Sequence, residues 1–305
     1  MVSKREPGRA LSDYGRLFNH APWHVVRHGL SRGRAYINRR LRGEKVFSPP
    51  DAILASYPKS GRTWLRFILA NYFASISGRS PVDMGTMFAF VPNLDTDPVR
   101  GMPAYEENPA MGAFPLIAAS HKQQVAAGMS SASTIFMVRD PRDVMVSAYF
   151  HATRQKHRFS GDIDAFLRDP EQGLPSWCEY LNRWADHLDG SEHQIVSYET
   201  LTAEPEQTVS DLLGSIGHRA EREKLRKAIE LSRFDRMAAL EIETGIPGHH
   251  YDRGDVEARR MRKGKVGGFE DYLSQDQLGF IRAHCEANLT PQARQIVDVT
   301  GWRAR

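Results

Sequence analysis

Leu54-Ala55-Ser56-Tyr57-Pro58-Lys59-Ser60-Gly61-Arg62-Thr63-Trp64, continuing into Leu65-Arg66-Phe67-Ile68-Leu69-Ala70-Asn71, reads as a short buried strand, a tight turn and an amphipathic helix. Such a turn leaves backbone N–H groups unpaired where the helix begins, and the helix dipole adds partial positive charge at the same point. An anion, a phosphate above all, is expected there, with Lys59 beside it. The spacing is not the G-x-x-x-x-G-K-[ST] of nucleoside triphosphate loops, because Lys59 precedes the only Gly of the turn.

Working outward, residues 114–122 read as a second buried strand that delivers Ser120, His121 and Lys122 at its carboxyl end. In an open α/β sheet that edge is where ligands bind, which gives His121 a functional reading. Residues 133–138 form a third strand, rich in β-branched and apolar side chains, followed by the charged turn Arg139-Asp140-Pro141-Arg142-Asp143 and a helix opening near Asp143. The guanidinium of Arg139 offers a fork of donors suited to a phosphate, and Ser147, one turn into the helix, can add a hydroxyl to the same anion. Further on, Arg259-Arg260-Met261-Arg262-Lys263-Gly264-Lys265-Val266-Gly267-Gly268-Phe269 is a basic loop punctuated by glycines, able to clasp a polyanion, with Gly264 allowing close backbone approach.

These stretches resemble three signatures of sulfotransferases that use 3′-phosphoadenosine 5′-phosphosulfate (PAPS). Residues 57–64 match seven of the eight positions of Y-P-K-S-G-T-T-W, Arg62 being the exception. Residues 139–147 are similar to R-[ND]-P-[KR]-D-V-x-V-S, and 262–269 to R-K-G-x-x-G-[DG]-[WF]. The resemblance spans about residues 50–275. It implies an α/β fold, a parallel sheet flanked by helices and related to the P-loop nucleotide kinases. It also implies sulfuryl transfer from PAPS to a hydroxyl acceptor by in-line attack, with no metal required.

Residue by residue, the resemblance implies that His121 is the general base and that Lys59 stabilises charge on the bridging oxygen. The donor's 5′ end then lies on Ser60, Gly61, Arg62, Thr63 and Trp64. Its 3′-phosphate lies on Arg139 and Ser147 and under Arg262, Lys263 and Gly264. Tyr198, from Ser197-Tyr198-Glu199, resembles the family's adenine-contacting Tyr, and Ser232 and Phe234 resemble its T-S-F-x-x-M. Ala119 stands where the family has a Lys. Glu270, Leu273 and Gln275 depart from the dimer motif K-x-x-F-T-V-x-x-x-E, so the oligomeric state stays open. Two other classes remain: a nucleotide-kinase-like phosphotransferase, and a catalytically degenerate nucleotide-binding protein.

The rest of the chain sets bounds. Its 305 residues, 41% of them hydrophobic, suffice for one large α/β domain. There are 41 Lys and Arg against 37 Asp and Glu, but residues 1–46 hold eleven of the former and three of the latter. That end therefore carries +8 and the remainder −4. We accordingly divide the chain into a basic extension, 1–47, and a sulfotransferase domain, 48–305. Trp23, Val25, Val26, Leu30, Tyr36, Ile37 and Leu41 recur among arginines at roughly helical spacing, which suits either a helix laid across the domain or contact with an anionic membrane surface or acidic partner. No nucleic-acid partner is expected.

No apolar leader or spanning segment is present in the sequence, so a soluble, cytoplasmic protein is expected. Cys178 and Cys285 lack metal-ligand spacing and read as core thiols. Trp177, Tyr180, Leu181, Trp184 and Leu188 form a helical core stripe. Residues 82–115 show no period and read as a lid or pocket wall.

Overall fold

A computed structural model of the chain describes residues 47, 49–123 and 132–303. Residues 1–46, with the helix and the contacts expected of them, lie outside the described residues. Four strands, β1 (Ala52–Ser56), β2 (Ile117–Ser120), β3 (Ser133–Val138) and β4 (His193–Ser197), form a parallel sheet in the order β2-β1-β3-β4. Ala55 lies opposite both Ser120 and Phe136, so the carboxyl ends of the three inner-lying turns share one edge. The connections leave β1 and β3 in opposite directions, and the crevice between them is the switch point at which such sheets take ligands. All five β1 residues are buried, as a strand covered on both faces requires.

The α-helices among the described residues, in chain order, are α1 (Arg62–Ile76), α2 (Met102–Glu106), α3 (Pro141–Phe150), α4 (Ile163–Arg168), α5 (Leu174–Leu188), α6 (Tyr198–Ala203), α7 (Pro205–Ser215), α8 (Arg222–Leu231), α9 (Phe234–Glu243), α10 (Gln275–Asn288) and α11 (Pro291–Asp298). One core gathers Ile53 and Ala55 of β1 with Phe136, Val144 and the α5 stripe, where Trp177 and Trp184 are almost fully buried. Cys178 and Cys285 meet there as free thiols, far apart in sequence but adjacent across α5 and α10. On the opposite face α1 packs against α8. None of the described helices is long and apolar enough to cross a membrane.

Two local readings shift. The helix expected near Asp143 opens at Pro141, because Asp140 caps it by accepting from the Arg142 N–H at 2.9 Å and a proline suits the first helical position. β4 ends at Ser197, whose hydroxyl accepts from the Thr200 N–H at 2.9 Å and starts α6. Residues 82–115 hold α2 and a 3₁₀ turn (Thr86–Ala89), and they bury Met84, Met87, Phe88, Tyr105 and Phe114. Phe114 stacks on Phe73 of α1 at 4.9 Å. Asn93 bridges to Ala119, so this segment also shields the edge of β2. Met and Phe pack irregular gaps without periodicity, which hid this core from the sequence pattern.

Candidate active site

The turn after β1 is built from left-handed backbone, with φ of 75° at Lys59 and 100° at Gly61. A Cβ on Gly61 would strike the Tyr198 ring and come within 2.9 Å of the Met137 methyl group. For a lysine this conformation costs on the order of 1–2 kcal/mol, a strain that the surrounding packing must hold. α1 then begins with no side-chain cap and no carboxylate in its first turn, leaving its N–H groups to an anion. Gly61→Ala is expected to lower the thermal midpoint measured by calorimetry, by roughly 2–4 °C for each kcal/mol of strain introduced. An unchanged midpoint would mean that the turn tolerates a side chain.

Lys59 is half-buried, and its ammonium is pushed down to about 7 by desolvation first and then by the charges of Arg260, Arg262 and Arg139, with Glu241 opposing. At the end of β2, the His121 Nδ1–H donates to the Ser56 carbonyl at 2.8 Å. A carbonyl can only accept, so the proton resides on Nδ1 and the lone pair of the neutral ring on Nε2. The ring opens on the cleft, while crowding on its other sides and the charges of Arg62, Arg66 and Arg260 hold the imidazole well below its ordinary value. It is therefore neutral at physiological pH.

The turn after β3 joins the basic loop through one carboxylate. Asp143 accepts from the N–H groups of Gly267 at 2.9 Å and Phe269 at 3.0 Å, and pairs with Arg139 at 3.3 Å. Arg139 also donates to the Lys265 carbonyl at 3.1 Å and lies 4.2 Å above the Tyr198 ring, while its Nε is buried without a partner. Arg262 donates to the Tyr272 hydroxyl at 2.8 Å, and Lys263 pairs with Asp271 at 2.6 Å. Gly264, at φ 60°, rests against the Phe234 ring, which a Cβ would strike. The first residues of the loop are anchored by fully buried Glu241, which accepts from the N–H groups of Arg260 at 2.7 Å and Met261 at 2.8 Å, and from the Tyr251 hydroxyl.

One cleft is lined by Lys59, Gly61, Arg62, Thr63 and Trp64 from the turn, His121 from β2, Arg139 and Ser147 from β3 and α3, and Tyr198, Phe234, Arg262, Lys263 and Gly264. Two residues named from the sequence stand apart. Ser60 is buried, and the Ser232 hydroxyl is used inside α8, donating to the Ala228 carbonyl at 2.7 Å. The backbone carbonyl of Ser232 instead accepts from the Trp64 indole at 2.9 Å, which fixes that ring edge-on to Tyr198. Asp143, Met237, Arg260, Met261, Lys265 and Gly268 also line the cleft and were not assigned from sequence. Four of these lie inside the basic loop, and Asp143 inside the second signature. The anchoring role of Glu241 left no sequence signal, because its partners lie about twenty residues away.

Residues 49–292 match the family model described as Sulfotransferase domain. The chain is 28% identical over 269 residues to flavonol 3-sulfotransferase of Flaveria bidentis, covering 80% of this chain and 83% of that protein. Its fold resembles a mouse sulfotransferase complexed with PAP, at a TM-score of 0.56 and 18% identity over 80% of this chain and 87% of that one. It also resembles retinol dehydratase in complex with retinol and PAP, at a TM-score of 0.60 and 17% identity over 85% and 86% of the two chains.

Proposed function

The chain belongs to the sulfotransferase domain family, and we propose that it carries the sulfuryl group of PAPS to a hydroxyl acceptor by in-line attack, with His121 as the base and Lys59 stabilising the charge that develops. The observation that carries this reading is the His121 tautomer: a neutral ring with its lone pair on Nε2, in the same cleft as Lys59. Bound in the cleft, the donor would supply an electrophilic sulfur and a phosphate leaving group. His121 takes the acceptor's hydroxyl proton on Nε2 as the new oxygen–sulfur bond forms. Lys59 meets the negative charge left on the phosphate side of the breaking bond.

The residues of the cleft suit the donor at both ends. The uncapped N-terminus of α1 favours a phosphate against its backbone N–H groups. The orphan Nε of Arg139 supports an anion on that side, and Ser147 adds a hydroxyl donor. Trp64, Tyr198 and Phe234 offer ring faces to a flat base. We assign the 3′-phosphate to Arg139, Ser147 and the loop of Arg262–Gly264, held shut by Asp143.

Calorimetry with adenosine 3′,5′-bisphosphate (PAP) and ATP separates this reading from a nucleotide-kinase-like one. PAP is expected to bind and ATP to bind at least roughly a hundredfold more weakly, because the second phosphate alone engages the Arg139 side. The reverse order would overturn the donor assignment. Lys59 also makes the binding take up a proton. Below pH 7 its ammonium is already charged, whereas between about pH 7 and 9 the arriving anion draws a proton onto it, so PAP affinity falls as pH rises through that window. Equal heats in buffers of different ionisation enthalpy at pH 8 would contradict this.

A further inference from the structure

Two sets of cations face the cleft. Arg260, Arg262 and Arg139 are the charges that depress Lys59, and they belong to the donor side and its loop. Arg62, Arg66 and Arg260 are the charges that depress His121, with Arg62 the strongest of them. The donor accounts for Arg139 and Arg262, whereas Arg260 acts on both Lys59 and His121. The family resemblance set Arg62 beside the donor's 5′ end, yet its charge acts on His121 and is not among those that act on Lys59, and Arg66, one turn further along the same face of α1, has no role so far.

These guanidinium groups are short of partners. Arg62 lines the cleft, yet its Nη1 is buried with no hydrogen bond. Arg66 is only 4% exposed; it donates from Nη2 to Asn93 Oδ1 at 2.7 Å, lies 4.7 Å above the Phe88 ring, and keeps an unpartnered Nε. Arg260 meets the His249 ring at 3.0 Å through Nη2, and its Nε is likewise buried and unpartnered. Among the described residues, none of the three has a carboxylate at ion-pair distance. The acids nearby are engaged or at a distance: Asp97 is bound to Arg100 at 2.6 Å, Glu241 is occupied by the Arg260 and Met261 backbone and Tyr251, and Asp95 acts on Arg62 and Arg66 only through its field. The histidines around them, His121, His151 and His249, are all held toward their neutral forms and add no negative charge.

Guanidinium groups drawn partly or wholly out of water without counter-ions are unfavourable unless a ligand supplies the missing charge. We propose that the hydroxyl acceptor carries an anionic group, a carboxylate, sulfate or phosphate, and that this group docks on Arg62 and Arg260 beside His121, with Arg66 backing Arg62. This rests on the sulfotransferase reading above and narrows its acceptor. An anion in that place offsets the field that weakens His121 as a base, so binding the acceptor strengthens the group that deprotonates it.

The test uses matched hydroxyl compounds that differ only in one charge: 4-hydroxybenzoate and its methyl ester, 10-hydroxydecanoate and its methyl ester, and glucuronate and its methyl ester. Each is titrated calorimetrically into the PAP-loaded protein and assayed for transfer from labelled PAPS. In at least one pair the acid is expected to bind at least roughly tenfold tighter than the ester, the effect of pairing a buried charge. Arg62→Met is expected to bring that pair within about threefold of each other, Arg62→Lys to keep part of the preference, and both to bind PAP within about threefold of the native chain. Esters that equal their acids in every pair, including no measurable binding by any acid, overturn the inference. A loss of PAP affinity in Arg62→Met places this guanidinium on the donor and also overturns it. Failure of the native chain to bind PAP at all overturns the donor reading, and this inference with it.

Discussion

His121→Ala is expected to lower kcat by about 10²–10⁴-fold, the usual contribution of a positioned general base, while PAP affinity changes by no more than about threefold. The asymmetry follows from where the side chain sits. His121 follows β2, and the 2.8 Å hydrogen bond to the Ser56 carbonyl fixes its tautomer. Its removal takes away the proton acceptor and leaves the turn after β1, Arg139 and the basic loop in place. Single-turnover transfer from labelled PAPS, paired with PAP calorimetry on the same preparation, reads both quantities. A variant that turns over at the native rate would remove His121 from the chemistry, whatever the cleft looks like.

Lys59→Met is expected to reduce kcat by about 10²–10³-fold, the loss typical of one preorganised charge-stabilising group. Its PAP affinity should drop by only about tenfold, since one unit of pKa shift on binding is worth that factor. The pH profile is the sharper readout. In the native chain kcat/KM at low PAPS should fall tenfold per pH unit above about 7, as the Lys59 ammonium deprotonates in the free protein. On the acid side the profile should stay flat through pH 6, because His121 remains neutral well below the ordinary imidazole value. Lys59→Met should lose the alkaline limb, and Lys59→Arg should move it beyond pH 9, since a guanidinium stays charged there. An alkaline limb that survives in Lys59→Met would assign that titration to another group.

How much of this was legible in the sequence depends on how local the interaction is. Gly61 could be read as a turn glycine, and Ser147 as lying one turn beyond Asp143, because both follow from backbone and helix geometry over a few residues. The α5 stripe was legible for the same reason. The packing of 82–115 was not, since its Met and Phe side chains bury without a period. Ser232 matched a pattern, yet its hydroxyl is consumed by α8 and only its carbonyl serves the site, through Trp64. A motif names a position; which of its atoms is free depends on neighbours brought in from elsewhere.

The chain's own order of residues determined the strand, turn and uncapped helix around Gly61, the anion-seeking chemistry of that turn, and the three stretches that resemble the sulfotransferase signatures. These are short-range matters of φ, capping and spacing. Tertiary structure alone decided that β2 brings His121 into the field of Arg62, that Asp143 locks the loop of Gly267 and Phe269, and that Glu241 anchors Arg260. Charges act through space over several ångströms regardless of sequence separation. So the departure at Arg62, a single mismatch in a familiar turn, became part of a cationic site only when the fold set Arg66, Arg260 and the base around it.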